Sequence, residues 1–217
     1  MTDGTLIERV LLPRQTAPSA PPLLVLLHGI GADERDLLPL ARALDPQFQV
    51  ASLRAPHDYV VGYSWFPIDF RPGGEVVPDV PAARASLTEL VRWLEAAPAR
   101  LGTDPARTFL LGFSQGAMMS LGALLTAPER LAGVVALSGR FAPALFVPRA
   151  SPEAIARVPV LAAHGLHDDV LPVAHGRGVR DALATRTTDL TYQEFPIGHE
   201  ISPDELDLVA RWLAARR

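Results

Sequence analysis

The 217-residue chain contains no cysteine, no asparagine and no lysine, so all 20 basic residues are arginine. Without cysteine there is no disulfide framework, thiolate zinc site, iron–sulfur cluster or thiol nucleophile. Without lysine there is no P-loop lysine, Schiff base or Ser-Lys dyad, and without asparagine no N-glycosylation. The two signs of charge nearly balance: 24 acidic against 20 basic residues leave a net charge of −4, which argues against nucleic acid as a partner. Apolar runs such as Leu23 to Leu27 fall far short of the roughly 18 to 20 residues a membrane span needs. Met1 to Val10 carries Asp3 and Glu8 and lacks the basic-then-apolar order of a secretory signal, so a cytoplasmic location is expected. At about 100 to 200 residues per domain, one domain over residues 1–217 is expected.

Short apolar runs alternate with longer amphipathic segments. Strands are predicted at Leu6 to Leu12, Leu23 to Leu27, Gln49 to Leu53, Thr108 to Leu111, Gly133 to Leu137, Val160 to Ala163 and Thr191 to Phe195. Helices are predicted near Glu34 to Leu44, Ala82 to Ala97, Gln115 to Leu125, Val173 to Ala184 and Pro203 to Ala215. Before the last helix, Ser202 is placed to cap, Pro203 suits the first position, and Glu205 completes a capping box. Several central runs are apolar throughout, which suits strands covered on both faces and predicts an α/β fold with a mostly parallel sheet of about seven strands.

One stretch breaks the alternation. Residues 55–81 read as a long loop rich in proline, yet hold Tyr59, Tyr63, Trp65, Phe66 and Phe70, five of the 14 aromatic residues. Loops this long are usually functional or disordered, and the aromatic content favours a pocket wall over disorder. Their apolar content also makes a homodimer a reasonable expectation.

The predicted strand at Thr108 runs directly into Gly112-Phe113-Ser114-Gln115-Gly116 and then a helix. This is G-x-S-x-G in the strand-to-helix setting that gives the motif its meaning. The serine must sit on a strained turn, where side chains two residues to either side would strike the neighbouring strand and helix, and glycine removes that clash. The helix N-terminus also turns free N–H groups and a positive dipole end towards the site.

A serine hydroxyl needs an imidazole to take its proton and a carboxylate to orient that imidazole, in the chain order Ser, acid, His for this motif. The strand at Val160 ends in His164-Gly165-Leu166-His167-Asp168-Asp169, and the strand at Thr191 ends in Pro196-Ile197-Gly198-His199. Of six histidines, His28 and His164 follow strands, where a bond to loop backbone is the commoner use. His57 lies in the aromatic loop, His175 opens a helix face, and His167 adjoins the acid. His199 remains as the base. Spacing does not separate Asp168 from Asp169; Asp168 is preferred, with Asp169 left solvated or capping. Two N–H donors complete an acyl-transfer site: Gln115 after the nucleophile, and Ile30 in His28-Gly29-Ile30-Gly31 after an early strand.

Other readings are weaker. Gly29-Ile30-Gly31 resembles a dinucleotide fingerprint, but Glu34 occupies the third glycine position and would repel a pyrophosphate. A metal held by His164, His167, Asp168 and His199 leaves the serine elbow unexplained. A non-catalytic ligand-binding scaffold also remains as an alternative.

Taken in order, Leu27-His28-Gly29-Ile30-Gly31-Ala32-Asp33, Ser64-Trp65-Phe66, Gly112-Phe113-Ser114-Gln115-Gly116, His164-Gly165 with Asp168 and Pro172, and Gly198-His199-Glu200 resemble the phospholipase/carboxylesterase family of α/β-hydrolases. This group includes bacterial carboxylesterases and acyl-protein thioesterases, and the resemblance runs from about Leu6 to Leu213. It implies a Ser114, Asp168, His199 triad, favours Asp168 over Asp169, makes Ile30 and Gln115 the oxyanion donors, and puts Trp65 and Phe66 beside the acyl pocket. Ala117 in place of a further glycine, and Ala32 inserted before Asp33, are departures that bear on substrate rather than chemistry. The expected activity is hydrolysis of carboxylic esters or thioesters of short to medium acyl chains, on small molecules or acylated proteins, with no cofactor and no metal.

Overall fold

The computed structural model describes residues 6–15, 19–70, 76–147 and 149–217. Its elements in chain order are β1 (Glu8–Leu11), β2 (Leu23–Leu27), β3 (Gln49–Leu53), β4 (His57–Asp58), β5 (Tyr63–Ser64), β6 (Ile68–Phe70) and β7 (Val76–Pro78). There follow α1 (Val80–Leu101), β8 (Thr108–Phe113), α2 (Gln115–Thr126), β9 (Gly133–Leu137), α3 (Pro152–Ala156), β10 (Val160–Gly165), α4 (Ala174–Ala184), β11 (Leu190–Phe195) and α5 (Pro203–Ala214).

A seven-stranded sheet runs β1-β3-β2-β8-β9-β10-β11. All neighbours are parallel except β1, which pairs antiparallel to β3. The apolar runs divide between the two faces with a period of two, as strand geometry requires. Leu23, Val25 and Leu27 of β2, Leu110 of β8, Val134 of β9 and Val160 of β10 join one core with Leu87, Leu90 and Leu94 of α1 and the buried side of α2. Leu24, Leu26, Phe109, Leu111, Val135 and Leu161 join the other, with Leu37, Phe48 and, from α5, Val209 and Trp212. Fully apolar strands are therefore the signature of a sheet covered on both sides.

Three expectations need correction. The helix expected over Glu34 to Leu44 is a chain of tight turns containing only the three-residue 3-10 turn Leu40–Arg42. Its N–H groups reach back three residues, as in Asp36 to Asp33, Leu38 to Arg35 and Arg42 to Pro39. Pro39 supplies no N–H and clashes with an α-helical turn before it, so the apolar spacing serves a looser coil. Second, the 55–81 stretch is not a plain loop: it folds into the hairpins β4-β5 and β6-β7 and runs into α1. Pro72 lies outside the described residues. Third, α1 is longer than its periodic core because Asp79 accepts the Ala82 N–H at 2.9 Å and Gly102, at φ 69°, closes its C-terminus. The short α3 was not expected.

The capping box of α5 is half formed. Ser202 Oγ accepts the Glu205 N–H at 3.2 Å, but among the described residues neither carboxylate oxygen of Glu205 has a hydrogen-bond partner, although the side chain is buried. Burial pushes the Glu205 carboxyl up to about 7, against a smaller opposite pull from the Ser202 backbone.

Candidate active site

The chain leaves β2 for β3 on one side and later returns as β8 on the other. The loops after β2 and β8 therefore meet at the point where strand order reverses, the usual crevice of an open α/β sheet. Ser114 follows β8 at φ 54° and ψ −115°. A non-glycine residue here holds strain of about 1 to 3 kcal/mol, which only tight surroundings maintain. Those surroundings are the expected ones. A Cβ on Gly112 would come within 2.2 Å of the Gly116 carbonyl oxygen, and one on Gly116 within 2.0 Å of that of Leu27.

His199 arrives on the turn after β11. Its Nε2 lies 2.9 Å from Ser114 Oγ and its Nδ1 lies 2.7 Å from Asp168 Oδ2. Because a carboxylate only accepts, Nδ1 carries the proton and Nε2 is free to accept from the serine. Phe113 packs against the imidazole with ring centroids 4.9 Å apart. Gly165 permits the approach of this turn to the acid loop, since a Cβ there would sit 2.2 Å from the Gly198 carbonyl oxygen. Asp168 is buried, and its Oδ1 accepts the N–H groups of Val170 at 3.0 Å and Leu171 at 2.7 Å. Asp169 is exposed. The Val170 and Leu171 N–H groups and the His199 Nδ1–H together satisfy the buried carboxylate of Asp168.

Of the other histidines, His28 does bond loop backbone: its Nδ1–H donates to the Gly29 carbonyl at 2.7 Å and its Nε2 accepts the Ala55 N–H at 3.0 Å. Burial lowers its pKa, in keeping with a neutral ring. His164 also bonds backbone, donating from Nε2 to the Leu171 carbonyl at 2.7 Å, but the same nitrogen lies 3.3 Å from Asp168 Oδ2. That second contact was not anticipated; a histidine four residues before the acid was its one available signal. His57 pairs with Ser86 across 3.3 Å, and His167 is exposed.

The two candidate oxyanion donors follow β2 and β8. Among the described residues, the N–H groups of Ile30 and Gln115 have no hydrogen-bond acceptor, whereas the adjacent Gly31 N–H is taken by the Tyr63 carbonyl at 2.9 Å. Glu34, the residue that spoils the dinucleotide fingerprint, is a buried anchor instead. Arg54 donates to it at 2.6 Å and holds its carboxyl down at about 2, with Arg9 adding a bond at 3.2 Å. Arg54 also donates to the Tyr63 hydroxyl at 3.1 Å.

Trp65 and Phe66 are not where the acyl-pocket expectation put them. They are 0% and 1% exposed and belong to the core, so neither ring offers a surface to a substrate. Hydrogen bonding explains the burial: the Trp65 indole N–H donates to the His28 carbonyl at 2.9 Å, and the Gln115 side chain bonds the Trp65 N–H and Phe66 carbonyl. Among the described residues, the exposed large apolar side chains include Val60 and Val61 at the β4-β5 tip, and Leu166 and Val170 on either side of Asp168. Among the described residues, no group of three or more acidic or histidine side chains is arranged to hold a metal ion, and no helix is long and apolar enough to cross a membrane.

Carboxylesterase SOBER1 of Arabidopsis thaliana is 27% identical over 211 residues, covering 88% of each chain. Acyl-protein thioesterase 1 of Gibberella zeae is 35% identical over 115 residues, covering 52% of this chain and 49% of that one. The crystal structure of a carboxylesterase from Mesorhizobium loti superposes with a TM-score of 0.83 over 99% of this chain and 97% of that one; at 22% identity it speaks for the α/β-hydrolase fold. A sequence model described as Phospholipase/Carboxylesterase matches residues 12–216, and on that match the chain belongs to the phospholipase/carboxylesterase family.

Proposed function

We propose that the chain is a serine hydrolase that cleaves carboxylic esters, and thioesters of the same acyl groups, of short to medium length through an acyl-serine intermediate. One observation carries the reading: His199 lies between Ser114 Oγ at 2.9 Å and Asp168 Oδ2 at 2.7 Å, in the order a proton relay needs. The membership of the family and the names of its relatives agree with it.

In this mechanism Ser114 Oγ attacks the substrate carbonyl carbon while His199 Nε2 takes its proton. The N–H groups of Ile30 and Gln115 receive the oxyanion of the tetrahedral intermediate. The bond to the leaving group breaks as His199 returns the proton to it, giving alcohol or thiol and acyl-Ser114. Water then attacks the acyl carbon, His199 takes a proton from that water, and collapse releases the carboxylic acid and restores the serine. Asp168 holds the imidazole in the Nδ1–H tautomer and balances its transient charge. Leu166 and Val170, exposed on either side of Asp168, supply apolar surface beside the triad for an acyl chain.

The test is labelling with a fluorophosphonate followed by peptide mapping, together with a chain-length panel of nitrophenyl esters. Label on Ser114, and a loss on the order of 10⁴ to 10⁶ in turnover for Ser114→Ala, are expected. An unlabelled Ser114, or a Ser114→Ala enzyme retaining a tenth of the activity, rejects the proposal.

A further inference from the structure

Two oxyanion donors on separate loops stabilise a transition state only if their separation is set before the reaction begins. The strap Tyr63-Ser64-Trp65-Phe66 touches both loops. Towards the Ile30 loop, Gly31 N–H donates to the Tyr63 carbonyl at 2.9 Å and Tyr63 N–H donates to the Ala32 carbonyl at 2.8 Å. The Trp65 indole adds its bond to the His28 carbonyl at 2.9 Å. Gly62 makes this approach possible, for at φ 67° a Cβ would fall 2.5 Å from the carbonyl oxygens of both Gly31 and Ala32.

Towards the nucleophile, among the described residues, one side chain makes both hydrogen bonds. Gln115 Oε1 accepts the Trp65 N–H at 2.7 Å, and Gln115 Nε2 donates to the Phe66 carbonyl at 2.8 Å. A primary amide presents a donor and an acceptor in one plane and so pairs with the strap as a strand residue would. Gln115 is buried, which leaves water little room to replace either bond.

We propose that the Gln115 side chain is a positioning residue: it clasps the Trp65-Phe66 strap and thereby fixes the Ile30 N–H relative to its own backbone N–H. The proposal rests on the hydrolase reading above and adds to it a role for the side chain distinct from that of the main-chain donor. A residue that only fills the core would change stability, whereas a clasp that sets oxyanion geometry changes kcat with little change in KM.

Two variants test this with a nitrophenyl ester. Gln115→Met keeps similar volume and the backbone donor but forms neither clasp bond. It is expected to lose about 10- to 100-fold in kcat, with KM within about threefold of the parent. Gln115→Glu probes the bonds themselves. As a carboxylate it accepts from Trp65 N–H but offers the Phe66 carbonyl no proton; once protonated it restores both bonds. Burial beside a carbonyl raises its pKa, so the variant-to-parent ratio of kcat should climb as pH falls from 8 to 5.5. The ratio divides out the His199 dependence common to both proteins, and a new carboxylate near that imidazole would favour its charged form and pull the ratio down as pH falls, so a climb reports the restored bonds. His28, whose carbonyl receives the Trp65 indole, has its pKa lowered by burial, against an upward pull from its bond to the Gly29 carbonyl, and it is present in parent and variant alike.

A Gln115→Met enzyme with parental kcat, or a ratio for Gln115→Glu that is independent of pH, overturns the proposal. If the Met variant does not fold, judged by circular dichroism, the ratio alone decides. The hydrolase reading fails separately, through Ser114 labelling: parent labelled at Ser114 with an unimpaired Gln115→Met sinks only the clasp.

Discussion

The Nε2 of His164 lies 3.3 Å from Asp168 Oδ2, the same carboxylate oxygen that accepts the His199 Nδ1–H at 2.7 Å. The buried carboxylate thus faces two imidazoles, one turned towards the serine and one turned back to the Leu171 carbonyl. A Cβ on Gly176 would come within 2.6 Å of the His164 ring, so α4 holds that ring in place. Replacing His164 by Leu should loosen the acid loop and lower kcat/KM by about 10-fold or more, while His164→Gln, which keeps a donor, recovers part of the loss. Steady-state kinetics decide; a Leu variant as active as the parent would show that His164 merely fills space.

Asp168→Asn and Asp169→Asn form a matched pair. The first replaces an acceptor with a donor facing Nδ1, favours the wrong tautomer of His199, and should cut kcat by about 10⁴. The second alters an exposed side chain and should change activity by less than about twofold. Equal effects from the two substitutions contradict the geometry.

Glycines differ sharply in what they permit. Gly112→Ala and Gly116→Ala would drive a methyl to 2.2 Å and 2.0 Å from backbone oxygen, and each is expected to cost more than about 3 kcal/mol or abolish folding. Gly178, inside α4, has nothing within 4 Å of a built Cβ. Gly178→Ala should therefore stabilise by about 0.4 to 1 kcal/mol, through helix propensity and a less free unfolded chain. Urea melts of the three variants test both directions.

Glu205 makes stability depend on pH. Burial raises its folded-state pKa from 4.5 to about 7. Between those values the native state binds the extra proton, so stability falls as pH rises through the window, and the penalty is complete above it. Glu205→Gln removes the titrating charge and should stabilise by about 1 to 3 kcal/mol at pH 8 but by little at pH 4. Denaturant melts at the two pH values that show the same gain, or none, would contradict this account.

The strands were legible because β2 and β9 are written as short apolar blocks, and the core faces then alternate along them by backbone geometry alone. The serine elbow was legible for the same reason: its glycines, strand and helix all lie within a few residues. Residues 34–44 misled because the apolar spacing of a helix and of a packed turn series is similar, and Pro39 tips the balance locally. Trp65 and Phe66 misled because neither aromatic content nor a family resemblance reveals which way a ring turns; their partners, His28 and Gln115, lie 37 and 49 residues away in the chain.

Chemical options and order were legible along the polymer: absent cysteine and lysine removed whole mechanisms, and Ser114, Asp168 and His199 each follow a predicted strand in that chain order, with the strand at Gly133 between the first two. Convergence was settled only in three dimensions. Ser114 and His199 are 85 residues apart, His199 and Asp168 are 31 apart, and the strap joining the two donor loops depends on contacts no local window contains. Propensity and periodicity act over a few residues, whereas the placement of a proton-accepting nitrogen depends on the summed packing of both sheet faces, and that sum exists only in the folded chain.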